Sequence, residues 1–325
     1  MNETPKKPTL CLGEALIDVI TRQPDEEHGK NITEHVGGSP LNVACGLAQL
    51  DHPTLMASWW GKDRRGQMIE KYLNASGVEV VEGSNHAEKT PIADAKVDAA
   101  GQATYEFDLD WQVPPLPQPE EIGHLHIGSF SATLEPGASA VLNAAIAMAE
   151  KGTVSYDPNA RPSIMGSPNE VLKHIEQLIG LSDLVKSSDE DIAWLWGSEV
   201  PIENVMRHWL ELGAGMVVVT RGPWGSYAMC AGDRDMLVVD PLDIEVEDTV
   251  GAGDSFMAGL ISGLLDTGFL GSIDAKHKLR EAQLSDLRAA LHRAVITSGI
   301  TVNNVGAYSP SRDEVHQTLE SNPML

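Results

Sequence analysis

Residues 248–260 read Asp-Thr-Val-Gly-Ala-Gly-Asp-Ser-Phe-Met-Ala-Gly-Leu. Gly251, Ala252 and Gly253 run directly into an apolar pattern with helical spacing, which predicts a turn with unpaired backbone N–H groups at a helix N-terminus. Such a turn binds phosphate, and glycine lets the anion approach the backbone closely. Asp254 would repel that anion unless it faces a hydroxyl group that attacks the bound phosphoryl group. The stretch therefore predicts phosphoryl transfer to an alcohol, with Asp254 as proton acceptor and these amides as the anion hole.

Two other interpretations of the same turn compete with phosphoryl transfer. A Gly-Ala-Gly-Asp turn can simply begin a helix, with Asp254 complementing the helix dipole. A dinucleotide fingerprint needs glycine or alanine at its sixth position, where this chain has Phe256, and it follows an opening strand, whereas this turn lies late in the chain. The turn alone leaves a catalytic and a structural role open.

A second glycine-rich motif favours the catalytic interpretation. Gly37-Gly38-Ser39-Pro40-Leu41-Asn42-Val43-Ala44 resembles the first signature of the ribokinase-like (PfkB) carbohydrate kinases, and residues 248–260 resemble the second. Two motifs in the expected order, about 210 residues apart, are far more specific than either alone. The resemblance runs through almost the whole chain and implies an ATP-dependent sugar kinase. Residues 13–18, Gly-Glu-Ala-Leu-Ile-Asp, are similar to the sequence of fructokinases in particular.

Composition narrows the class of protein. The chain has 325 residues, 42% of them hydrophobic and 22% charged, which is ordinary for a globular protein. Its net charge of −24 argues against nucleic-acid and anionic-membrane partners. The same charge would repel ATP, so ATP binding needs a few cations at the site and Mg²⁺ carried in with the nucleotide. The N-terminus lacks a secretory apolar stretch, no apolar run approaches the ~20 residues of a membrane span, and three scattered cysteines suit a reducing compartment. We expect a cytoplasmic protein.

The order of predicted elements indicates an α/β fold. Strand-like and helix-like segments alternate, which favours a mostly parallel sheet covered by helices on both faces. The resemblance implies one ribokinase-like three-layer domain over residues 1–325 with a small β-sheet lid. Lid segments are expected at about 21–36 and 87–112, where short alternating patterns predict antiparallel strands outside the main sheet. We expect main strands at 9–20, 54–60, 125–130, 153–157, 184–187 and 215–220, and helices at 64–75, 136–151, 168–180 and 202–213.

The first motif and the first strand supply the predicted sugar site. Gly37 and Gly38 precede a predicted helix, so their backbone can approach a ligand, and Asn42 can donate and accept hydrogen bonds one turn in. Asp18, late in the first strand, can accept hydrogen bonds from two neighbouring hydroxyls. The matching family position binds sugar hydroxyls, which gives Asp18 the same predicted role. A capped glycine turn and a turn aspartate are the structural alternatives.

Charge in the lid bears on which sugar is bound. Residues 90–123 contain one cation, Lys96, against Glu106, Asp108 and Asp110 on the same strand region. Relatives that act on keto-deoxy acids place an arginine in the lid, so an acidic lid favours a neutral sugar, D-fructose. Kinases for 2-keto-3-deoxygluconate, ribose or a nucleoside remain alternatives within the family. A non-catalytic sugar or nucleotide sensor is the alternative of another class.

Polar residues after the later strands supply the predicted phosphate and magnesium sites. Arg161, in a stretch similar to the Asp-x-Asn-x-Arg segment of fructokinase relatives, can neutralise the transferring phosphoryl oxygens. Ser188 and Asp191 stand where many ribokinases have Asn and Glu. Asp191 is therefore predicted to act on Mg²⁺ through water, with Glu190 as the alternative acid. Ser188 capping a helix that has Asp191 in its first turn is the structural alternative.

The resemblance implies the remaining ligands. A phosphate loop ends an apolar strand near 220, the adenine lies beside a segment near 305, and many relatives hold a monovalent cation, such as K⁺, where this chain has Asp248 and Val250. An exposed lid edge could pair with a second copy, so a monomer and a homodimer are both open. His124 and His126 share one face of a strand without an evident third metal ligand, which favours a structural role. The predicted nucleotide-binding residues are Lys186, Ser188, Thr220, Arg221, Gly222, Gly225, Gly251, Gly253, Asn303 and Ala307.

Overall fold

Short apolar strands build the centre of the molecule, which is known from a computed structural model that describes residues 6–22, 31–97 and 103–322. Nine of them form one large sheet. They are β1 (Thr9–Leu12), β4 (Thr54–Ala57), β5 (Glu79–Val80), β8 (His124–Gly128), β9 (Thr153–Asp157), β10 (Leu184–Ser188), β11 (Met216–Thr220), β12 (Ser226–Cys230) and β13 (Leu237–Val239). A separate four-stranded sheet, the lid sheet, contains β2 (Leu16–Arg22), β3 (Asn31–Gly37), β6 (Ile92–Val97) and β7 (Ala103–Asp108).

The large sheet is mostly parallel, as predicted. Its strand order is β13-β12-β11-β10-β9-β8-β1-β4-β5, and only the β11–β12 and β12–β13 pairs are antiparallel. The carboxyl ends of the parallel strands therefore meet at one edge, where ligand sites of open α/β sheets are found.

Helices cover the large sheet on both faces. They are α1 (Ser39–Gln49), α2 (Arg64–Ala75), α3 (Gly137–Ala149), α4 (Pro162–Met165), α5 (Pro168–Leu181), α6 (Asp189–Trp196), α7 (Ile202–Leu212), α8 (Ala252–Asp266), α9 (Ile273–Glu281), α10 (Leu284–Val302) and α11 (Arg312–Ser321). One apolar core packs α1, α2, α8, α9 and α10 against the sheet, and a second packs α3, α5, α6 and α7 against the other face. Alternate strand residues point into the two cores, so Val218 enters the first and Val217 the second. This is the predicted three-layer α/β architecture.

The lid sheet corrects the prediction at residues 9–20, which form two strands in different sheets. β1 ends at Leu12, and β2 begins at Leu16 and belongs to the lid sheet, so that sheet starts earlier than the expected 21–36 segment. Gly13 packs against Pro40 and Ser131, and the chain turns out of the large sheet there. The strands pair in the order β3-β2-β6-β7, with two antiparallel pairs around a parallel β2–β6 pair. Residues 23–30 and 98–102 of the expected lid segments lie outside the described residues.

None of the helices within the described ranges combines the length and the apolar character that crossing a membrane requires.

Candidate active site

The glycine-rich turn forms the N-terminus of α8, as its sequence predicts. Gly251 is the N-cap residue with φ 75°, a left-handed conformation that favours glycine, and the helix begins at Ala252. A Cβ atom at Gly251 would lie 2.6 Å from the Cβ atom of Ala307, so the turn packs against the segment predicted to lie beside the adenine. The Ala252 N–H donates to the Thr249 carbonyl oxygen at 3.2 Å, whereas the N–H groups of Gly253 and Asp254 have no partner within the helix and can donate to an anion.

Asp254 occupies the first turn of α8 and is held by residues of the other motif. Ser39 Oγ donates to Asp254 Oδ1 at 2.6 Å, and Asn42 Nδ2 donates to Oδ2 at 2.8 Å. Burial raises the pKa of Asp254 above its ordinary value, although the two hydrogen bonds, and then the charges of Lys186 and Arg161, favour the ionised form. The two glycine-rich motifs thus meet at one carboxylate.

Asp18 lies on the lid sheet, which corrects the prediction that it ends a strand of the main sheet. It sits within β2, opposite His35 of β3. A Cβ atom at Gly37 would collide with Asp18 Oδ2, so the carboxylate lies directly against the glycine backbone. Burial raises the pKa of Asp18, while the charges of His35 and Arg161 lower it. Glycine at position 37 therefore makes room for the carboxylate that is predicted to bind the sugar.

Arg161 follows β9 and lies in the loop that leads to α4. Its Nη1 donates to Asn159 Oδ1 at 2.8 Å and to the Ala160 carbonyl oxygen at 2.9 Å, and the residue is exposed. The positive charge of Arg161 lowers the pKa values of both Asp18 and Asp254. Arg161 is therefore the cation common to the predicted sugar carboxylate and the predicted base.

A buried ion pair lies beside the anion-binding turn. Lys186 Nζ donates to Asp157 Oδ2 at 2.8 Å, with side-chain exposures of 5% and 0%. A Cβ atom at Gly253 would lie 3.0 Å from Lys186 Nζ, so the ammonium group borders the turn. Burial raises the pKa of Asp157 to about 6, although Lys186 opposes this. Burial also lowers the pKa of Lys186, but Asp157, Asp254 and Asp191 together outweigh it, so this pKa lies above its ordinary value. Asp157 Oδ1 accepts no hydrogen bond from the described residues.

Ser188 and Asp191 form the capping arrangement that sequence analysis gave as their structural alternative. Ser188 Oγ accepts the Asp191 N–H at 3.0 Å, and Asp191 Oδ2 accepts the Ser188 N–H at 2.9 Å. Asp191 Oδ1 accepts the Ala160 N–H at 2.8 Å, which ties the Arg161 loop to the start of α6. Glu190 has an exposed side chain. The magnesium role of Asp191 and the nucleotide role of Ser188 stay predictions.

The predicted phosphate loop follows β11. Thr220 Oγ1 donates to the Ser187 carbonyl oxygen at 3.3 Å, and the guanidinium carbon of Arg221 lies 4.2 Å from the centroid of the Tyr227 ring. Gly222 has φ 52° with open space where a side chain would be, and Gly225 has φ 74° with its Cα packed against β13. The loop therefore has an accessible backbone at Gly222, as phosphate binding requires.

The predicted adenine and cation residues come together beside the same turn. Asp248 Oδ1 accepts the Val250 N–H at 3.0 Å, and Oδ2 accepts the Gly306 N–H at 2.8 Å, which lowers the pKa of Asp248. Asn303 is the C-cap residue of α10 and donates through Nδ2 to the Glu245 carbonyl oxygen at 2.9 Å. Residues 303–307 are thus hydrogen-bonded to the irregular segment that leads into α8.

Two polar residues of this region, Ser39 and Glu14, were not predicted from the sequence. Ser39 holds Asp254, and Glu14 Oε1 accepts the Ser39 N–H at 3.2 Å. The position of Ser39, between two glycines and Pro40, marks a first helical residue and was an available signal. Nothing local separates Glu14 from an ordinary turn carboxylate.

The two strand histidines are buried and bonded to hydroxyl groups. His124 contacts Thr153 Oγ1 at 2.9 Å and Ser155 Oγ at 2.8 Å, and His126 contacts Ser155 Oγ at 3.0 Å. Burial lowers the pKa of each histidine to about 3. In the described part of the chain, no group of three or more metal-binding side chains occurs. Both histidines are therefore neutral core residues.

Comparison with known proteins agrees with this geometry. Residues 6–314 match the profile of the pfkB family carbohydrate kinases. A fructokinase from Rhizobium leguminosarum bv. trifolii is 32% identical over 266 residues, which cover 78% of this chain and 79% of that protein. The fold is that of a fructokinase from Xylella fastidiosa solved with bound ATP (TM-score 0.80, 22% identity, 98% of this chain and 100% of that one). A double mutant of the Vibrio cholerae O395 fructokinase, solved with fructose, ADP and potassium ion, has the same fold (TM-score 0.75, 24% identity, 97% of this chain and 99% of that one). The chain therefore belongs to the pfkB family and is a carbohydrate kinase.

Proposed function

We propose that this kinase transfers the γ-phosphoryl group of ATP to a hydroxyl group of D-fructose, giving fructose 6-phosphate. The observation that carries the proposal is the position of Asp254, a buried carboxylate at the N-terminus of α8 held by two residues of α1. A proton acceptor and unpaired helix amides on one turn are what phosphoryl transfer to an alcohol needs. The relatives named fructokinase favour fructose among the sugars.

In the proposed reaction Asp254 accepts the proton of the sugar hydroxyl as that oxygen attacks phosphorus. The burial that raises its pKa makes it a stronger base than an exposed aspartate. Amides of residues 251–254 stabilise the charge that develops on the transferring oxygens. Lys186 and Arg161 supply positive charge next to that turn. Because the chain has a net charge of −24, cations near the bound phosphates must provide this charge locally.

Residues of the site could hold two cations, Mg²⁺ bound to ATP and K⁺. Mg²⁺ bound to ATP would neutralise phosphate charge, and Asp157 and Asp191 would hold it through water. The Oδ1 atom of Asp157 accepts no hydrogen bond from the described residues, so it suits this role better than Asp191, which already accepts three hydrogen bonds from protein atoms. K⁺ would bind beside Asp248 and the Val250 carbonyl group, where the lowered pKa of Asp248 keeps its carboxylate charged. The potassium ion of the Vibrio cholerae fructokinase supports this cation.

The charges of the lid sheet support a neutral sugar. Lys96 Nζ pairs with Glu106 at 2.7 Å, and Lys89 pairs with Asp108. These two lysines are thus paired with acids, as Arg64 and Arg65 are with Glu34 of β3, and Asp18 adds a carboxylate on β2. Asp18 would repel a substrate carboxylate, a repulsion that the charge of Arg161 only offsets in part, whereas sugar hydroxyls can donate to Asp18.

A panel of acceptors tests the proposal. The purified chain, with Mg²⁺ and ATP, is assayed for ADP release with fructose, ribose, 2-keto-3-deoxygluconate and adenosine, and the product is identified by ³¹P NMR. We expect the highest kcat/KM with fructose and phosphate on its 6-hydroxyl. A higher kcat/KM with another acceptor contradicts fructose as substrate. Sugar binding without ADP release across the panel supports a sensor, and replacing Na⁺ with K⁺ tests the monovalent site.

Assembly and location stay predictions. β3 and β7 are the edges of the lid sheet, and an exposed edge can pair with a second copy. Light scattering at several protein concentrations distinguishes a monomer from a homodimer. Fractionation of cells that express the chain tests the expected cytoplasmic location.

A further inference from the structure

Glu14 is a buried carboxylate next to the proposed base that the reaction above does not use. It lies between β1 and β2 and is 5% exposed. Its Oε1 accepts the Ser39 N–H at 3.2 Å, and Ser39 Oγ donates to Asp254 Oδ1 at 2.6 Å. No ion pair involves Glu14 among the described residues. Burying a carboxylate without a cation destabilises a fold, so we expect Glu14 to have a role that compensates for this destabilisation.

The start of α1 lacks a side-chain cap of its own. Gly38 is the N-cap residue, has φ 122° and makes no side-chain cap. Any Cβ atom there would collide with the backbone carbonyl oxygen of Glu14. Residue 38 therefore cannot carry the side-chain oxygen that usually accepts a first-turn N–H group. Glu14 instead accepts, from outside the helix, the N–H group of Ser39, the first residue of α1.

Resting on the proposed role of Asp254 as the base, we propose that Glu14 is a positioning residue. By accepting the Ser39 N–H it fixes the first residue of α1, and the Ser39 hydroxyl in turn holds the Asp254 carboxylate in one orientation. Glu14 acts through Ser39 and does not touch the substrate.

Glu14 can accept this hydrogen bond whether or not its carboxyl group is ionised. Burial raises the pKa of Glu14 to about 7, and its Oε2 atom accepts no hydrogen bond from the described residues. A protonated carboxyl keeps a lone pair for the Ser39 N–H, so either form can hold the helix start.

The proposal predicts a change in the pH dependence of turnover. The groups that face Asp254 are Ser39 and Asn42 from α1, Lys186 from β10 and Arg161 from the loop after β9, and Asp157 interacts with it electrostatically. The Ser39 hydrogen bond stabilises the ionised form, so losing it raises the pKa of Asp254. Since the base must be ionised, the acid limb of kcat/KM then moves to higher pH.

Four variants test the proposal: Glu14→Ala, Glu14→Gln, Ser39→Ala and the Glu14→Ala/Ser39→Ala double variant. We expect Glu14→Ala to lower kcat by about 5- to 20-fold, as for one lost orienting hydrogen bond, and to shift the acid limb upward. The KM for fructose should stay within about threefold. Glu14→Gln keeps a neutral acceptor and should retain most of kcat. The double variant should turn over no more slowly than Ser39→Ala, because both changes interrupt the same series of contacts from Glu14 through Ser39 to Asp254.

Asp183→Ala is the matched control. Asp183 is 1% exposed and its Oδ2 accepts the Val154 N–H at 2.9 Å, but it precedes β10 at the opposite end of the strand from Ser188. Loss of this carboxylate should destabilise the protein without moving the acid limb.

The outcomes separate this inference from the proposed function. A folded Glu14→Ala protein with parental kcat and acid limb overturns the positioning role, as does Glu14→Gln impaired as strongly as Glu14→Ala. If Glu14→Ala does not fold, Ser39→Ala decides, and parental kcat and acid limb in that variant overturn the role. If Asp254→Asn loses activity while Glu14→Ala does not, only the positioning role fails. Parental turnover of Asp254→Asn removes the proposed base itself.

Discussion

Replacing Asp254 with asparagine should separate catalysis from folding. Asparagine has the same shape, keeps one oxygen for the Ser39 or Asn42 donor, and lets the Ser39 hydroxyl turn round to accept from its amide. It cannot accept a proton from the sugar. The change therefore removes the proposed base and leaves its surroundings in place.

The expected loss is in kcat. A positioned base contributes ~10²–10⁴-fold, about 2.7–5.4 kcal/mol at 1.36 kcal/mol for each factor of ten. The KM for fructose should change far less, because the interaction is needed mainly in the transition state. Stability should not fall at neutral pH. Because burial raises the folded-state pKa of Asp254, keeping it ionised destabilises the fold as pH rises from its ordinary pKa through the raised one, and asparagine removes that effect.

Asp266→Asn provides the control on the same helix. Asp266 ends α8, roughly 18 Å from Asp254 at 1.5 Å per residue. Burial would raise its pKa, but hydrogen bonds from Arg293 at 2.7 Å and Arg312 at 2.8 Å hold it well below the usual range. A depressed pKa stabilises the fold above the ordinary carboxyl pKa, and this contribution is lost as pH falls. Asp266→Asn should therefore lose about 1.5–3 kcal/mol at pH 7, a difference that shrinks in acid, with kcat unchanged.

Coupled ADP-release kinetics and thermal unfolding of both variants provide the measurements. We expect Asp254→Asn to lose turnover and keep its melting temperature, and Asp266→Asn to do the reverse. Asp254→Asn with turnover within a few-fold of the parent would refute the reasoning, since no other carboxylate is hydrogen-bonded by both Ser39 and Asn42 among the described residues.

Three more changes probe the rest of the site. Asp18→Asn should raise the KM for fructose by about 10- to 150-fold, the range for a lost charged hydrogen bond, with kcat affected less in steady-state assays. Lys186→Met should raise the KM for ATP over a similar range and lower the melting temperature, because Asp157 then stays buried without its cation; equal ATP affinity would contradict a phosphate-binding lysine. Gly251→Ala should destabilise by at least ~1–2 kcal/mol in urea unfolding, from its φ of 75° and the collision with Ala307; unchanged stability would contradict the tight turn.

Local sequence patterns were enough to predict the layers of the fold. The helix at 64–75 has its bounds as predicted because an apolar stripe of helical period follows Asp63, which caps it by accepting the Gly66 N–H. Residues 9–20 misled the prediction, since they are mostly apolar or β-branched and Gly13 is the only glycine or proline among them. The division into β1 and β2 depends on contacts of Gly13 with Pro40 and Ser131, which are distant in the chain. No local pattern contains that information.

The candidate site shows the same limit. The anion-binding turn at the start of α8 was predictable because a helix N-terminus is a local feature. The bond between Ser39 and Asp254 joins residues 215 positions apart and exists only because α1 and α8 pack side by side. Sequence reasoning named Asp254 from its own turn but could not name the hydroxyl that holds it.

The junction at Gly38 constrains how this enzyme can be re-engineered. β3 of the lid sheet ends at Gly37 and α1 begins at Ser39, so a single residue separates the predicted wall of the sugar site from the helix that holds Asp254. A graft that exchanges the lid for one of different curvature would twist Ser39 and Asn42 as well. Swapping residues 13–42 as one block should transplant selectivity with less damage than exchanging the lid strands alone.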